Sequence, residues 1–194
     1  MANQTYYPTT HLTESAGCTL FHLPTRKICL LNITPQNSNK TQQKNIITLP
    51  KGRRNLNESR KEAAIRETTE ETGYKCSLLL VKMGTRLTFP EDDEDIRDRV
   101  RVVEGCTESF YMQFRRVGRE DEGRVKVVWW FLGVVDEEDY VRKEGEGWDG
   151  VIKGGVGVEW RGYEDAIGEL TYESDVEVVK AAWRILEDTV GGRA

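Results

Sequence analysis

The run Val125–Val135, VKVVWWFLGVV, breaks its apolar residues with one lysine and one glycine. It is too continuously apolar to face water on either side, so Arg124–Val135 reads as a long central strand. Trp129 and Trp130 are neighbours in it and must point to opposite faces, which favours core packing over a paired stacking platform. Ahead of it, Ser109–Val117 alternates Phe110, Met112 and Phe114 with Tyr111, Gln113 and Arg115, the pattern of a second strand. Further strands are expected at Ser15–Leu23 and Arg26–Ile33, joined by a Pro24-Thr25 turn, at Asn45–Leu49, and at Tyr74–Met83. A last helix over Ser174–Asp188 gathers Val176, Val179, Ala182, Trp183 and Leu186 on one face.

Between these strands lies a segment of different character, Gly52 to Tyr74. Asn55 or Asn57 can cap a helix start, Glu58 carries an acid at the positive helix end, and Gly73 supplies a left-handed stop. The segment is therefore read as loop, helix and turn. Glu67, Glu70 and Glu71 then fall at i, i+3 and i+4 on one face. Each like-charge pair at that spacing costs roughly 0.2–0.5 kcal/mol, which a solvated acidic face could tolerate. A hard divalent cation would reverse the sign of the interaction, because such ions take carboxylate oxygens together with substrate phosphates. Arg66, four residues before Glu70, is spaced to pair with it.

Read whole, the segment resembles the signature of the Nudix hydrolases: G, five residues, E, seven residues, then R-E-U-x-E-E-x-G-U with U apolar. Gly52, Glu58, Arg66, Glu67, Glu70, Glu71 and Gly73 all match. Thr68 and Tyr74 depart from it at the two apolar positions, Thr68 at an expected cost in packing rather than chemistry. The resemblance implies an α/β/α sandwich with a mixed central sheet. It also implies attack of water on a phosphoanhydride assisted by Mg2+ or Mn2+. Glu67, Glu70, Glu71 and the Gly52 carbonyl are the implied metal ligands, with one of these glutamates also able to take the water's proton. Arg66 and Glu58 are implied to orient the carboxylates.

One domain is expected over residues 14–190, preceded by a loosely held arm over 1–13. Residues 34–45, 84–105 and 136–157 read as a loop, an insertion and a flexible connection. Within the insertion, Glu91, Asp92 or Glu94 could supply a general base, the alternative being a solvated charged loop. Cys18, Cys29, Cys76 and Cys106 lack C-x-x-C spacing and read as buried free thiols. The net charge of −5 gives no global basic field, so nucleic acid is not expected as a partner. No apolar run is long enough for a membrane span, and no protein partner is evident. The chain as written reads as soluble and cytoplasmic; the alternative is secretion, with a signal segment removed, to act in a host cell.

The loop around Gly52 is basic. Lys51, Arg53 and Arg54 are candidates for holding substrate phosphates, with help from Arg26, Arg115 or Lys126; solvated surface charge is the alternative. E-W at Glu159-Trp160, then E-D-A-I at 164–167, resembles diphosphoinositol polyphosphate phosphohydrolases, while Pro50-Lys51-Gly52 resembles dinucleoside polyphosphate hydrolases. The chain also resembles fungal Nudix proteins, some of them secreted effectors. The charge of the basic loop ranks a diphosphoinositol polyphosphate first and a dinucleoside polyphosphate second. RNA cap hydrolysis would want an extended basic surface, and a binding module without turnover would be expected to lack a signature glutamate.

Overall fold

Of the 194 residues, the structure, a computed structural model, describes 5–35, 44–88, 99–118, 123–146, 150–152 and 155–191. The apolar run forms β9 (Arg124–Val135), the axis of the main sheet. It lies parallel to β1 (Leu12–His22) from Leu12↔Val125 to Phe21↔Val134. Its other edge takes β8 (Tyr111–Val117) and then β5 (Cys76–Leu78), both antiparallel. Beyond β1 come β2 (Lys27–Ile33), β11 (Val156–Arg161) and β10 (Val151–Ile152). Strands β1 and β2 pair at Phe21↔Ile28 and His22↔Lys27, then diverge. Further along, β3 (Ile46–Thr48) pairs with β2 and β4 (Lys51–Arg53) pairs with β1.

Because successive strand residues face opposite ways, β1 divides its side chains between two layers. Ala16 and Cys18 join Phe131 and the Ala63 and Ala64 side chains of α1 (Arg60–Thr72) in one cluster. Leu20 joins Tyr74, Val135 and Tyr140, the last on α2 (Glu137–Gly145). On the opposite face Phe21, Leu30, Trp130 and Leu132 cluster with Ala166 of α3 (Tyr163–Glu169) and with Val176, Val179, Ala182 and Leu186 of α4 (Glu173–Gly191). Fully burying side chains of this size contributes about 1.5–3 kcal/mol each, so both faces of β9 must be covered for the sheet to persist. The architecture is the expected single-domain α/β/α sandwich. Among the described residues, no helix is long and apolar enough to cross a membrane.

Several expectations are corrected. Tyr74–Met83 is two strands, since β5 ends on the main sheet while β6 (Val81–Thr85) pairs with β7 (Arg101–Cys106) in a separate sheet. The insertion therefore contains a strand, and the proposed bases Glu91, Asp92 and Glu94 lie outside the described residues. The connection after β9 contains α2, capped by Asp136, and the two strands β10 and β11. Thr9–His11 form a single 3-10 turn, and β1 starts at Leu12 rather than at Ser15. All four cysteines are free, and Cys18, Cys29 and Cys106 are buried as expected.

Candidate active site

Helix α1 is started by Ser59 rather than by Asn55 or Asn57. The Ser59 hydroxyl accepts from the Glu62 N–H, and the Glu62 carboxylate accepts from the Ser59 N–H, a reciprocal box that satisfies two donors at the helix start. Asn57 instead takes a left-handed turn at φ 63°. The helix stops at Gly73, whose φ of 70° and N–H bond to the Thr69 carbonyl are the expected left-handed cap. Thr68, one of the two departures from the signature, is fully buried, and its hydroxyl accepts the Cys18 N–H at 3.1 Å. The hydroxyl thus ties α1 to β1, where an apolar residue would only pack. Tyr74, the other departure, is also buried.

The expected loop at Gly52 is the short strand β4, which runs against the carboxylate face of α1. A Cβ on Gly52 would lie 1.8 Å from Oε2 of Glu67, so only glycine permits this approach. One residue earlier, the Lys51 N–H donates to Oε2 of Glu71 at 2.8 Å. Burial pushes the Glu71 carboxyl up, and that hydrogen bond and the Lys51 charge offset it only in part.

Arg66 organises the remaining acids. Its Nε and Nη2 donate to the two oxygens of Glu58 at 2.7 and 3.0 Å, its Nη1 to Glu67 at 2.7 Å and to Glu70 at 3.2 Å, and its Nη2 also to the Arg53 carbonyl at 2.9 Å. The spacing anticipated the Glu70 pair; the shorter bonds go to Glu58 and Glu67. The Arg66 guanidinium holds Glu58 down at a pKa of about 2, helped by the Asn55 N–H, and Glu58 in turn raises Arg66. Glu67 is 14% exposed and Glu70 60% exposed. Among the described residues, no three His, Cys, Asp or Glu side chains are gathered closely enough to enclose a metal ion as they stand. The donor set at this end of α1 is nevertheless all oxygen, the chemistry of a hard cation.

The basic residues divide into two groups. Arg54 is bound to Glu14 and to the Glu58 carbonyl, Arg60 to Glu14 and the face of Trp129, and Lys61 to Glu108. Arg26, in the β1–β2 turn, is engaged by Glu187 and the Trp183 ring. In contrast, the side chains of Arg53, Arg115 and Lys126 form no ion pair with an acid among the described residues, although Lys126 lies within the field of Glu71. Arg115 and Lys126 help line a cleft of about 690 Å³ on the α4 face of the sheet, together with Lys51, Tyr111, Tyr172 and Asp175. Burial and the charges of Arg115, Lys51 and Arg53 together push the Lys126 ammonium down. The cleft's α4 wall was not anticipated. Its β8 wall was half legible, since Tyr111, Gln113 and Arg115 are one alternate set of that strand.

Residues 13–173 match the NUDIX domain family. The chain belongs to the Nudix family. Solved structures of similar fold include a NUDIX hydrolase from Nitrosomonas europaea, at a TM-score of 0.51 and 12% identity, covering 87% of this chain and 86% of that one. The E. coli ORF135 protein gives 0.51 and 15%, with 90% and 91% covered. A C. elegans Ap4A hydrolase gives 0.50 and 21%, with 90% and 98% covered. No curated protein matches. At these identities the structures speak to the Nudix fold, and the family match makes the chain a Nudix hydrolase.

Proposed function

We propose that this Nudix hydrolase cleaves a phosphoanhydride in a nucleoside polyphosphate, dinucleoside polyphosphates first, with Mg2+ or Mn2+ held by Glu67, Glu70, Glu71 and the Gly52 carbonyl. Bound there, the cation would supply Lewis acidity to the phosphoanhydride and an activated water. The chain's own residues do the positioning. Arg66, anchored by Glu58, orients Glu67 and Glu70, and the Lys51 N–H orients Glu71. One of the three glutamates would also take the proton of the attacking water.

The substrate reading rests on the unlike lining of the cleft that Lys51 links to Glu71, where Lys51, Arg115 and Lys126 share the space with Ile46, Tyr111 and Tyr172. A phosphate chain and a flat heteroaromatic group need these two environments side by side. The ranking drawn from the basic loop changes for a physical reason: Arg54 and Arg26 are already neutralised by Glu14 and Glu187. The C. elegans protein of similar fold is named for a diadenosine polyphosphate, which sets the first compound to try.

Diphosphoinositol polyphosphates are the second reading, favoured by Lys51, Arg115 and Lys126 and opposed by Glu173, Asp175 and Glu177 in the same cleft. A panel of diadenosine polyphosphates, diphosphoinositol phosphates, nucleotide sugars and capped RNA, assayed with each metal, tests the ranking. A higher kcat/KM for the diadenosine compounds is expected. A higher value for the inositol compounds would hand the site to the second reading.

A further inference from the structure

The cations that form no ion pair among the described residues are arranged, not scattered. In the antiparallel β8–β9 pair Arg115 stands directly opposite Lys126, and like charges so placed destabilise a sheet. On β1, Ser15 is in register with Arg53 on one side and with Val128, the next residue on the face of Lys126, on the other. The four strands β4, β1, β9 and β8 thus carry Arg53, Ser15, Lys126 and Arg115 on one continuous face. Ser15 is 1% exposed and its hydroxyl has no hydrogen-bond partner among the described residues. Lys51 closes the row: its ammonium is held by the Thr48 hydroxyl and the Leu49 carbonyl, and its N–H reaches Glu71 on the other face. Half-burying a lysine beside three other cations costs folding free energy that the charge of Glu71 offsets only in part, and a bound anion would recover the rest.

We infer that Arg53, Arg115 and Lys126, with Lys51, form a phosphate clasp that takes the phosphates beyond the scissile anhydride, so that the substrate carries a polyphosphate chain longer than a diphosphate. The inference rests on the reading of the chain as a polyphosphate hydrolase. It adds a chain-length requirement that the glutamate face does not impose. Lys51 joins the two regions, with its backbone at the carboxylates and its side chain at the clasp.

The test is binding of inorganic tripolyphosphate and of pyrophosphate to the full chain with divalent metal chelated, by calorimetry at low and high salt. Tripolyphosphate should bind the more tightly and lose affinity as salt rises. Lys126→Ala and Arg115→Ala should each weaken it by about tenfold, the worth of one charge-assisted contact, and Lys126→Arg should restore most of the loss. Both alanine variants should keep or raise the Tm of the unliganded protein, because each removes a like-charge contact; a structural role would lower it. Unchanged tripolyphosphate affinity in both variants, or equal affinity for pyrophosphate in the parent, overturns the clasp whatever the substrate. If the clasp variants lose tripolyphosphate while the substrate panel favours diphosphoinositol phosphates, the clasp stands and the nucleoside reading falls.

Discussion

The Thr48 hydroxyl donates to Oδ2 of Asp175 at 2.7 Å, joining β3 to the first turn of α4 across 127 positions of sequence. Both residues are buried, and Lys51 Nζ donates to the same Thr48 oxygen at 3.0 Å. The carboxylate of Asp175 therefore fixes the Lys51 ammonium through one intervening hydroxyl. Thr48→Val keeps the shape and removes both bonds, leaving Asp175 buried without this donor. A loss of about 1–3 kcal/mol in unfolding free energy is expected, with a raised KM for polyphosphate and a smaller change in kcat. If KM stays at the parent value while stability falls, the pair braces the fold and does not position Lys51.

Glu70→Gln and Glu71→Gln should each lower kcat by at least ~10²-fold with little change in Tm, since the charge removed acts mainly in the transition state. Glu70 is exposed and its one described ion pair is with Arg66, so its neutralisation should barely touch packing. Glu71 accepts a hydrogen bond from the Lys51 N–H that an amide oxygen can also accept. Steady-state kinetics beside a melting curve separates the two effects. Parent turnover in both variants would falsify the metal assignment.

What could be read from the sequence had local causes. The charge-poor run at β9, the left-handed stop at Gly73 and the carboxylate ladder of α1 each depend on residues near one another in the chain. The capping box at Ser59 is equally local, written in Ser59-Arg-Lys-Glu62, but Asn55 and Asn57 just before it are competing cap residues of the same chemistry. The cleft was not local. Its walls come from β3, β4, β8, β9 and the start of α4, and neither Thr48 nor Asp175 carries any mark of the other. The commitment of Arg54 to Glu14 and of Arg26 to Glu187 was hidden in the same way. A basic residue read alone tells its charge but not whether that charge is already spent.

Acid stability should report on Arg66. Glu58 has a folded pKa depressed to about 2 by Arg66, so its contribution is fully present above the ordinary carboxylate value and is lost as pH falls through about 2. Tm of the parent should therefore drop progressively between about pH 5 and pH 2, and Glu58→Gln should flatten part of that slope. Arg66→Ala should be worse at neutral pH, leaving Glu58 and Glu67 largely buried without their shared guanidinium. Arg66→Lys should rescue little, because an ammonium cannot reach Glu58 bidentately while also bonding Glu67 and the Arg53 carbonyl. Full activity in Arg66→Ala would remove its orienting role.

Gly52→Ala tests whether the approach of β4 to α1 matters for chemistry. The added Cβ would meet Oε2 of Glu67 at 1.8 Å and its Cδ at 2.1 Å, well inside contact distance. Something must move, and the carboxylate is the flexible partner, because β4 is held by its pairing with β1 at Ala16↔Gly52 and its two neighbours. Glu67 swinging aside would break its 2.7 Å bond to Arg66 while the Arg66–Glu58 pair persists. The expected cost in stability is therefore modest, about 1–3 kcal/mol as for other overpacked sites. The cost in kcat should be far larger, about 10²-fold, since a small displacement of a catalytic group has that effect. Kinetics and denaturant unfolding of the variant decide the point. A kcat near the parent value would mean that the position of Glu67 is not critical, and the close approach at Gly52 would then serve only the packing of α1 on the sheet.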